Sequence, residues 1–396
     1  MKRAPAGSAL LLLTATALAS TASPAAAASP VATGSSSPAW RVSISVSVGS
    51  HSTQMFGVTS AAPIPSWTWA VGGTTPVSGT GGATPVAETW NGRAWSRLTV
   101  PPKAVSALGP DPVLVTATAA RDNRLWAFTP SGGWLVKFGS SWTAGRLSKN
   151  SPVAIDSSLA YLSDGGAWAF GALETPGGFM PYAAYSGPVG FSWKQVPVPG
   201  KGTIVSSAVA PQGGNPYAVL ENGTFPQSSP TSSLVHWTGR EWQTVGLPAA
   251  LRHAALGSIL VRAGNSIWLG GAVKNARRGT TGVIGHWNGH GWQVTTLPAP
   301  ATAAPFRITS MTTDGSGGIW ALATCFASQC PNGAASRLWH ETAGRWTGPQ
   351  VPALASKPTV LVGLYNMRHG VWAAGSVRLS KTRSNGVIAL SGVPPA

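Results

Sequence analysis

His286-Trp287-Asn288-Gly289-His290-Gly291-Trp292-Gln293-Val294 sets two tryptophans around an Asn-Gly pair, and a Leu-Pro exit follows at Leu297 and Pro298. Asn and Gly tolerate the positive φ of a tight hairpin, so the stretch reads as two antiparallel strands joined by a short turn. The arrangement returns in VHWTGREWQTVGLP (235–248) and in ETWNGRAWSRLTVP (88–101). Recurrence at a nearly fixed spacing is the mark of a repeat architecture.

Aligned on its aromatics, the chain shows three recurring positions. The first lies in an apolar strand after a Gly-containing turn: Trp69, Trp126, Trp168, Tyr217, Trp268, Trp320 and Trp372. The second precedes the hairpin turn, at Trp90, Phe138, Tyr185, Trp237, Trp287 and Trp339, with Leu390 as a seventh. The third opens the next strand, at Trp95, Trp142, Trp193, Trp242, Trp292 and Trp346. The C-terminal copy of that third position is absent, whereas Trp40, in PAWRVSISV, stands at the other end of the chain as the opening Trp of such a strand.

An apolar run precedes each first-position aromatic (MFGVT, VLVTA, IVSSAV, SILV, RITSM, TVLVG), which makes four strands per unit of roughly 50 residues. The expected fold is all-β: a seven-bladed β-propeller of four-stranded antiparallel blades, with the N-terminal strand completing the last blade. Pairing of residues 40–46 with the strand near Val387–Leu390 would leave no incomplete blade edge exposed. Composition agrees, since Gly 49, Pro 33 and 19 Trp are spread along a chain in which 9% of residues are charged. Such a chain buries apolar strands between many turns and has little room for long helices.

Lys2 and Arg3, the apolar run ALLLLTATALA and the small residues Ala25–Ala28 read as a signal peptide over residues 1–28. That run is too short to span a bilayer, which takes roughly 20 residues, and no later segment does better. Residues 29–38 (SPVATGSSSP) read as a Ser/Pro linker, and 39–396 as a single propeller domain. The expectation is a free extracellular monomer.

The units WAVG (Trp69–Gly72), WNG (Trp90–Gly92 and Trp287–Gly289) and the V-P-x-P exits resemble those of the tryptophan-rich secreted repeat proteins of actinobacteria. The resemblance covers nearly all of the chain after the leader and implies a β-propeller, but no single activity. KFGSSW and YSGPVGFSW depart from it: the first lacks the Asn and the second lengthens the hairpin.

Most chemistry-bearing residues have an ordinary reading. Blade packing accounts for all of the tryptophans except Trp67 and Trp134. Asp122, Asp164 and Asp314 precede first-position aromatics, where Asp forms turns. LSDGGAW and TTDGSGGIW only faintly match the Asp-box of sialidases, and neither a carboxylate pair, a G-x-S-x-G elbow nor a metal-ligand motif such as HExxH is evident. His236, His286 and His340 sit at repeat positions on different blades. No catalytic residue, cofactor or metal is therefore expected. A carbohydrate-active enzyme would need acidic and His side chains to converge at the central channel; a lectin would show equivalent pockets between successive blades. Cys325 and Cys330, the only cysteines, are expected to form a disulfide that clips a short loop.

The net charge of +17 points to polyanionic partners. In a propeller the strand 2–3 hairpins and the connections to the next blade open on one face. That face is expected to be the more basic, with Lys103, Lys149, Lys201, Arg252, Arg307 and Lys357 in the connections against Asp111, Asp156, Glu174 and Glu221. KNARR and RLSKTR then supply Lys274, Arg277, Arg278, Arg378, Lys381 and Arg383 as the candidate ligand-binding residues. The partner would be an extracellular polyanion, glycan or protein, with no physiological nucleic acid.

Overall fold

The computed structural model describes residues 40–60, 68–77, 82–120, 122–148, 153–160, 166–187, 191–210, 214–223, 230–263, 265–275, 279–298, 305–325, 330, 335–350, 359–367, 370–380 and 382–391. The signal-peptide and linker readings fall outside these residues.

The chain opens with β1 (Trp40–Val46) and then lays down the blades in order. Blade 1 holds β2 (Ser52–Ser60), β3 (Thr68–Thr75), β4 (Thr84–Trp90) and β5 (Trp95–Arg97). Helix α1 (Pro102–Leu108) leads to blade 2: β6 (Thr116–Ala120), β7 (Arg124–Phe128), β8 (Gly133–Phe138) and β9 (Ser141–Arg146). Blade 3 comprises β10 (Val153–Ala160), β11 (Ala167–Thr175), β12 (Gly178–Ser186) and β13 (Trp193–Gln195). Blade 4 follows with β14 (Thr203–Ala208), β15 (Tyr217–Asn222), β16 (Thr231–Trp237) and β17 (Trp242–Val245), and α2 (Ala249–Arg252) leaves it. Blade 5 is β18 (Ala255–Ala263), β19 (Ser266–Asn275), β20 (Gly279–Trp287) and β21 (Trp292–Thr296). Blade 6 is β22 (Phe306–Thr313), β23 (Ile319–Cys325), β24 (Ala335–Thr342) and β25 (Arg345–Gln350). Blade 7 has β26 (Thr359–Met367), β27 (Gly370–Arg378) and β28 (Ser384–Ser391), and β1 pairs antiparallel with β28 as its fourth strand.

The seven sheets close a ring, because the first strand of every blade touches the first strand of the next and β26 returns to β2. Trp40 pairs with Ser391 and Val46 with Gly386, as the unmatched tryptophan at the N-terminus implies. Aromatic packing runs round the ring in the same sense. Trp126 meets Trp193 at 5.4 Å, Trp168 meets Trp242 at 5.7 Å, and Trp372 meets Trp95 at 5.6 Å. Each is a first-position Trp packed on the third-position Trp of the following blade. Trp320 meets Trp40 at 5.8 Å, so the N-terminal Trp takes up that role in blade 7.

The second position is not one structural position. Trp90 lies opposite Thr68 and Trp287 opposite Ile267, one residue before the first-position Trp in each case. Tyr185 and Leu390 face Trp168 and Trp372 directly, Trp339 faces Ala321, and Phe138 faces Arg124. A one-residue slip sends a strand side chain to the other face of its sheet. Tyr185 and Leu390 therefore share the face of the first-position Trp, whereas Trp90, Trp287 and Trp339 lie on the other; Trp339 is displaced from Trp287 by two residues along that face, where it is buried among Ile284, Leu297 and Ile308.

The hairpin turns follow their chemistry. Asn288 Oδ1 accepts from the backbone N–H groups of His290 and Gly291, and Gly289 takes φ 94°. Trp134 and Asp314 also have structural roles: the indole packs in the core with Trp126 and Phe191, and Asp314 Oδ1 accepts from the N–H groups of Ser316 and Gly318. Cys325 and Cys330 form the expected disulfide at a Cα separation of 6.0 Å.

Candidate functional site

Six of the seven innermost strands carry a one-residue irregularity, at Phe56, Asp156, Val205, Gly257, Thr309 and Val362. The following residue in each is Gly or Ser. Ser206 Oγ accepts from Ile259 N–H at 3.2 Å and Ser310 Oγ from Leu364 N–H at 2.9 Å, which ties successive blades together. Tyr365 donates its hydroxyl to the carbonyl of Phe56 at 2.8 Å, across the junction of blades 7 and 1.

One charged cluster breaks the repeat. Arg307, from blade 6, reaches across blade 5 to Glu221 of blade 4, with Nη1 3.2 Å from Oε1 and Nη2 3.0 Å from Oε2. Nη2 also donates to the carbonyl of Leu256 at 2.6 Å. The path requires Gly257, because a Cβ there would stand 2.5 Å from Arg307 Nε. Asp156, from blade 3, completes the group. Its surface is open to solvent although protein surrounds it, as suits a side chain lining a channel. Burial raises the Asp156 carboxyl against the opposing pull of Arg307, and raises Glu221 against the same pull.

Arg307 and Glu221 were expected on the basic face as surface charges. Both are buried and neutralise each other, so neither belongs to the surface balance. Acidic groups from two blades do come together, but their partner is an arginine and no histidine. With Glu221 held by Arg307, Asp156 is the open carboxylate among the described irregular positions, whereas glycoside hydrolysis needs two carboxyl groups in play.

The antiparallel order β2-β3-β4-β5, repeated in each blade, puts the strand 2–3 hairpins and the inter-blade connections on one face. Lys274 stands exposed near the end of β19, and Arg378 at the end of β27. Arg383 is exposed in the adjoining turn, where its Nη2 donates to Gly49 O at 3.0 Å. Arg277, Arg278 and Lys381 lie outside the described residues. The three described candidates thus share a face but sit on blades 5 and 7, with the Cys325–Cys330 clip on blade 6 between them. Lys103, Lys201 and Arg252 are also exposed on this face, together with Arg146, which the repeat alignment did not single out. Exposed Asp111, Asp156 and Glu174 oppose them among the described residues. On the other face Asp122 pairs with Arg124 at 2.9 Å, and Arg93, Arg240 and Arg345 share the surface with Glu241.

A cleft of about 640 Å³ opens on the basic face between α2 and blade 5. Alanines and valines form most of its lining, and Lys274 and His253 are its charged or titratable members. Sequence reasoning found Lys274 but not the cleft, whose lining is drawn from α2 and from all four strands of blade 5.

The three repeat-position histidines stay apart. His236 stacks on Tyr217 at 4.1 Å, His286 on Trp268 at 3.8 Å and His340 on Trp320 at 4.2 Å. Burial lowers the His236 and His286 pKa values, and Arg262 pushes His286 the same way. His340 Nε2 is 2.9 Å from Asp314 Oδ2. Burial raises the Asp314 carboxyl, but hydrogen bonds from His340, Ser316 and Gly318 together outweigh it and leave its pKa below the usual value. Among the described residues no three His, Cys, Asp or Glu side chains are grouped to hold a metal ion, and no helix is long and apolar enough to cross a membrane.

No protein-family model and no curated protein matches the chain. Solved structures do resemble it. YCF48 from Cyanidioschyzon merolae aligns with TM-score 0.53 and 14% identity over 89% of this chain and 98% of that one. A structure described as YCF48 bound to D1 peptide gives TM-score 0.55 and 14% identity, over 89% and 97%. The β-propeller domain of Myceliophteria thermophila Cps50 (Swd1) gives 0.54 and 10%, over 88% and 99%. At these identities the likeness is one of fold.

Proposed function

We propose that the protein is an exported, monomeric, non-catalytic binding module that docks an extracellular anionic polymer, such as a cell-wall phosphate polymer or acidic glycan, on its basic face. In this reading residues 1–28 are a removed signal peptide, 29–38 a linker, and the repeats belong with the tryptophan-rich secreted repeat proteins of actinobacteria. The disulfide suits an oxidising compartment. The observation that carries the proposal is the charge imbalance of one face: Lys103, Arg146, Lys201, Arg252, Lys274, Arg378 and Arg383 stand exposed there against Asp111, Asp156 and Glu174. The likeness to propellers such as YCF48, one structure of which is bound to D1 peptide, supports a binding role.

Lys274, Arg277, Arg278, Arg378, Lys381 and Arg383 would make the principal contacts. Neutralising all six should abolish retention on purified cell wall at low salt. Unchanged retention, or equal loss when Arg93, Arg240 and Arg345 are replaced instead, rejects the assignment.

A further inference from the structure

The cleft beside blade 5 has features that a polyanion would not use. Helix α1 spans seven residues and buries Ala104 and Leu108, whereas α2 spans four, buries Leu251 and leaves Ala249 and Ala250 exposed above the cleft. Beneath these alanines Ala255, Ala272 and Val283 form the buried floor of the cleft, and half-buried Val273 its side. Lys274 and His253 edge it, Arg252 is exposed next to His253, and no acidic residue lines it. An apolar group that carries negative charge complements this surface.

Val294 and Thr296, which close the outer side, belong to β21. That strand pairs with β20, and among the described strands none pairs with its other edge. Val294 is 41% exposed. A free strand edge beside an apolar pocket is the combination that binds an extended chain: the backbone supplies hydrogen bonds and alternate side chains enter the pocket.

We infer that this cleft and the edge of β21 receive an extended segment of another protein, with an apolar side chain in the cleft and an acidic group against Lys274. The site shares Lys274 and Arg252 with the polymer-docking face and is otherwise independent of that reading.

The test is fluorescence anisotropy of a labelled peptide of alternating valine and threonine ending in two aspartates, beside a counterpart ending in two lysines. It uses the mature protein at high salt, where long-range attraction is screened. The aspartate peptide should bind saturably and the lysine peptide should not. Ala250→Trp fills the cleft from an exposed helix position and should weaken binding at least tenfold, with its unfolding curve and cell-wall retention unchanged. Lys274→Glu, also at an exposed position, should weaken binding about tenfold and shift preference to the lysine peptide. The inference is overturned by absence of saturable binding, by equal binding of both peptides, or by indifference to both substitutions. Binding of 8-anilinonaphthalene-1-sulfonate without the peptide would equally reject a protein segment as the occupant.

Discussion

Replacing Arg307 with methionine keeps much of the side chain's length but removes the guanidinium that joins blades 4, 5 and 6. Glu221 then loses both of its contacts to Arg307, and the carbonyl of Leu256 loses a 2.6 Å donor. Both members of the ion pair are at least nine-tenths buried, so the cost is that of stranding a buried charge, about 3–5 kcal/mol. Unfolding roughly 350 residues at about 2.1 cal/mol/K each converts that to a melting point lower by about 4–7 °C. The double substitution Arg307→Met with Glu221→Gln should recover part of the loss, since it leaves no charge behind. Burial already raises Glu221 with Arg307 present, and removing the guanidinium raises it further. The folded variant therefore takes up a proton before the unfolded chain does, and its deficit shrinks as pH falls through the raised folded value. Urea and thermal unfolding of wild type, both single variants and the double, at neutral and mildly acidic pH, measure all of this. A single variant as stable as wild type, or a deficit that does not change with pH, would refute the reasoning.

Three further outcomes are expected. Trp40→Ala should cost about 3 kcal/mol, the low end for a buried Trp because the ring is partly exposed, and deletion of residues 29–48 should cause aggregation through the bared edge of β28; an unchanged melting temperature in the truncated chain argues against closure by β1. Loss of the Cys325–Cys330 bond through Cys325→Ser with Cys330→Ser should lower stability by about 2 kcal/mol at most, because the ring it closes is short; two free thiols in the unreduced wild-type protein would deny the bond in solution. His236 and His286 are held neutral by burial, so the unfolded chain binds protons first and stability falls as pH drops from about 6.5 through their lowered folded values; His236→Phe with His286→Phe should flatten that slope in thermal melts between pH 7 and 5, and an unchanged slope assigns it elsewhere.

What could be read from sequence and what could not divide along the range of the interactions. Asn288-Gly289 between two tryptophans is a local turn signal, and the structure uses it as such. Trp40 announced ring closure because a periodic pattern makes a missing member visible, and its ring fills the slot against Trp320. The second aromatic position misled because spacing to a hairpin turn does not fix which sheet face a residue occupies; Tyr185 and Trp287 differ by one residue in register against their first-position Trp and so lie on opposite faces. Arg307 and Glu221 are 86 positions apart and meet only because Gly257, on a third blade, leaves room. Nothing local distinguishes that Arg from Lys103 or Arg252 in equivalent connections, so it was expected at the surface. Lys274, Arg378 and Arg383 were legible as one face because blade topology assigns loops to faces, whereas the cleft beside Lys274 is assembled from residues spread between Pro230 and Thr296 that no local pattern joins.

The most direct test of the docking claim is the salt dependence of binding to a soluble, purified anionic wall polymer, measured for wild type and two triple variants. For Lys274→Ala, Arg378→Ala, Arg383→Ala the account predicts weaker binding and a shallower fall of log affinity with log salt, because fewer counterions are released. For Arg93→Ala, Arg240→Ala, Arg345→Ala, which removes the same charge from the opposite face, it predicts the wild-type slope. Equal losses in the two triples would show that net charge alone drives binding and would contradict the account.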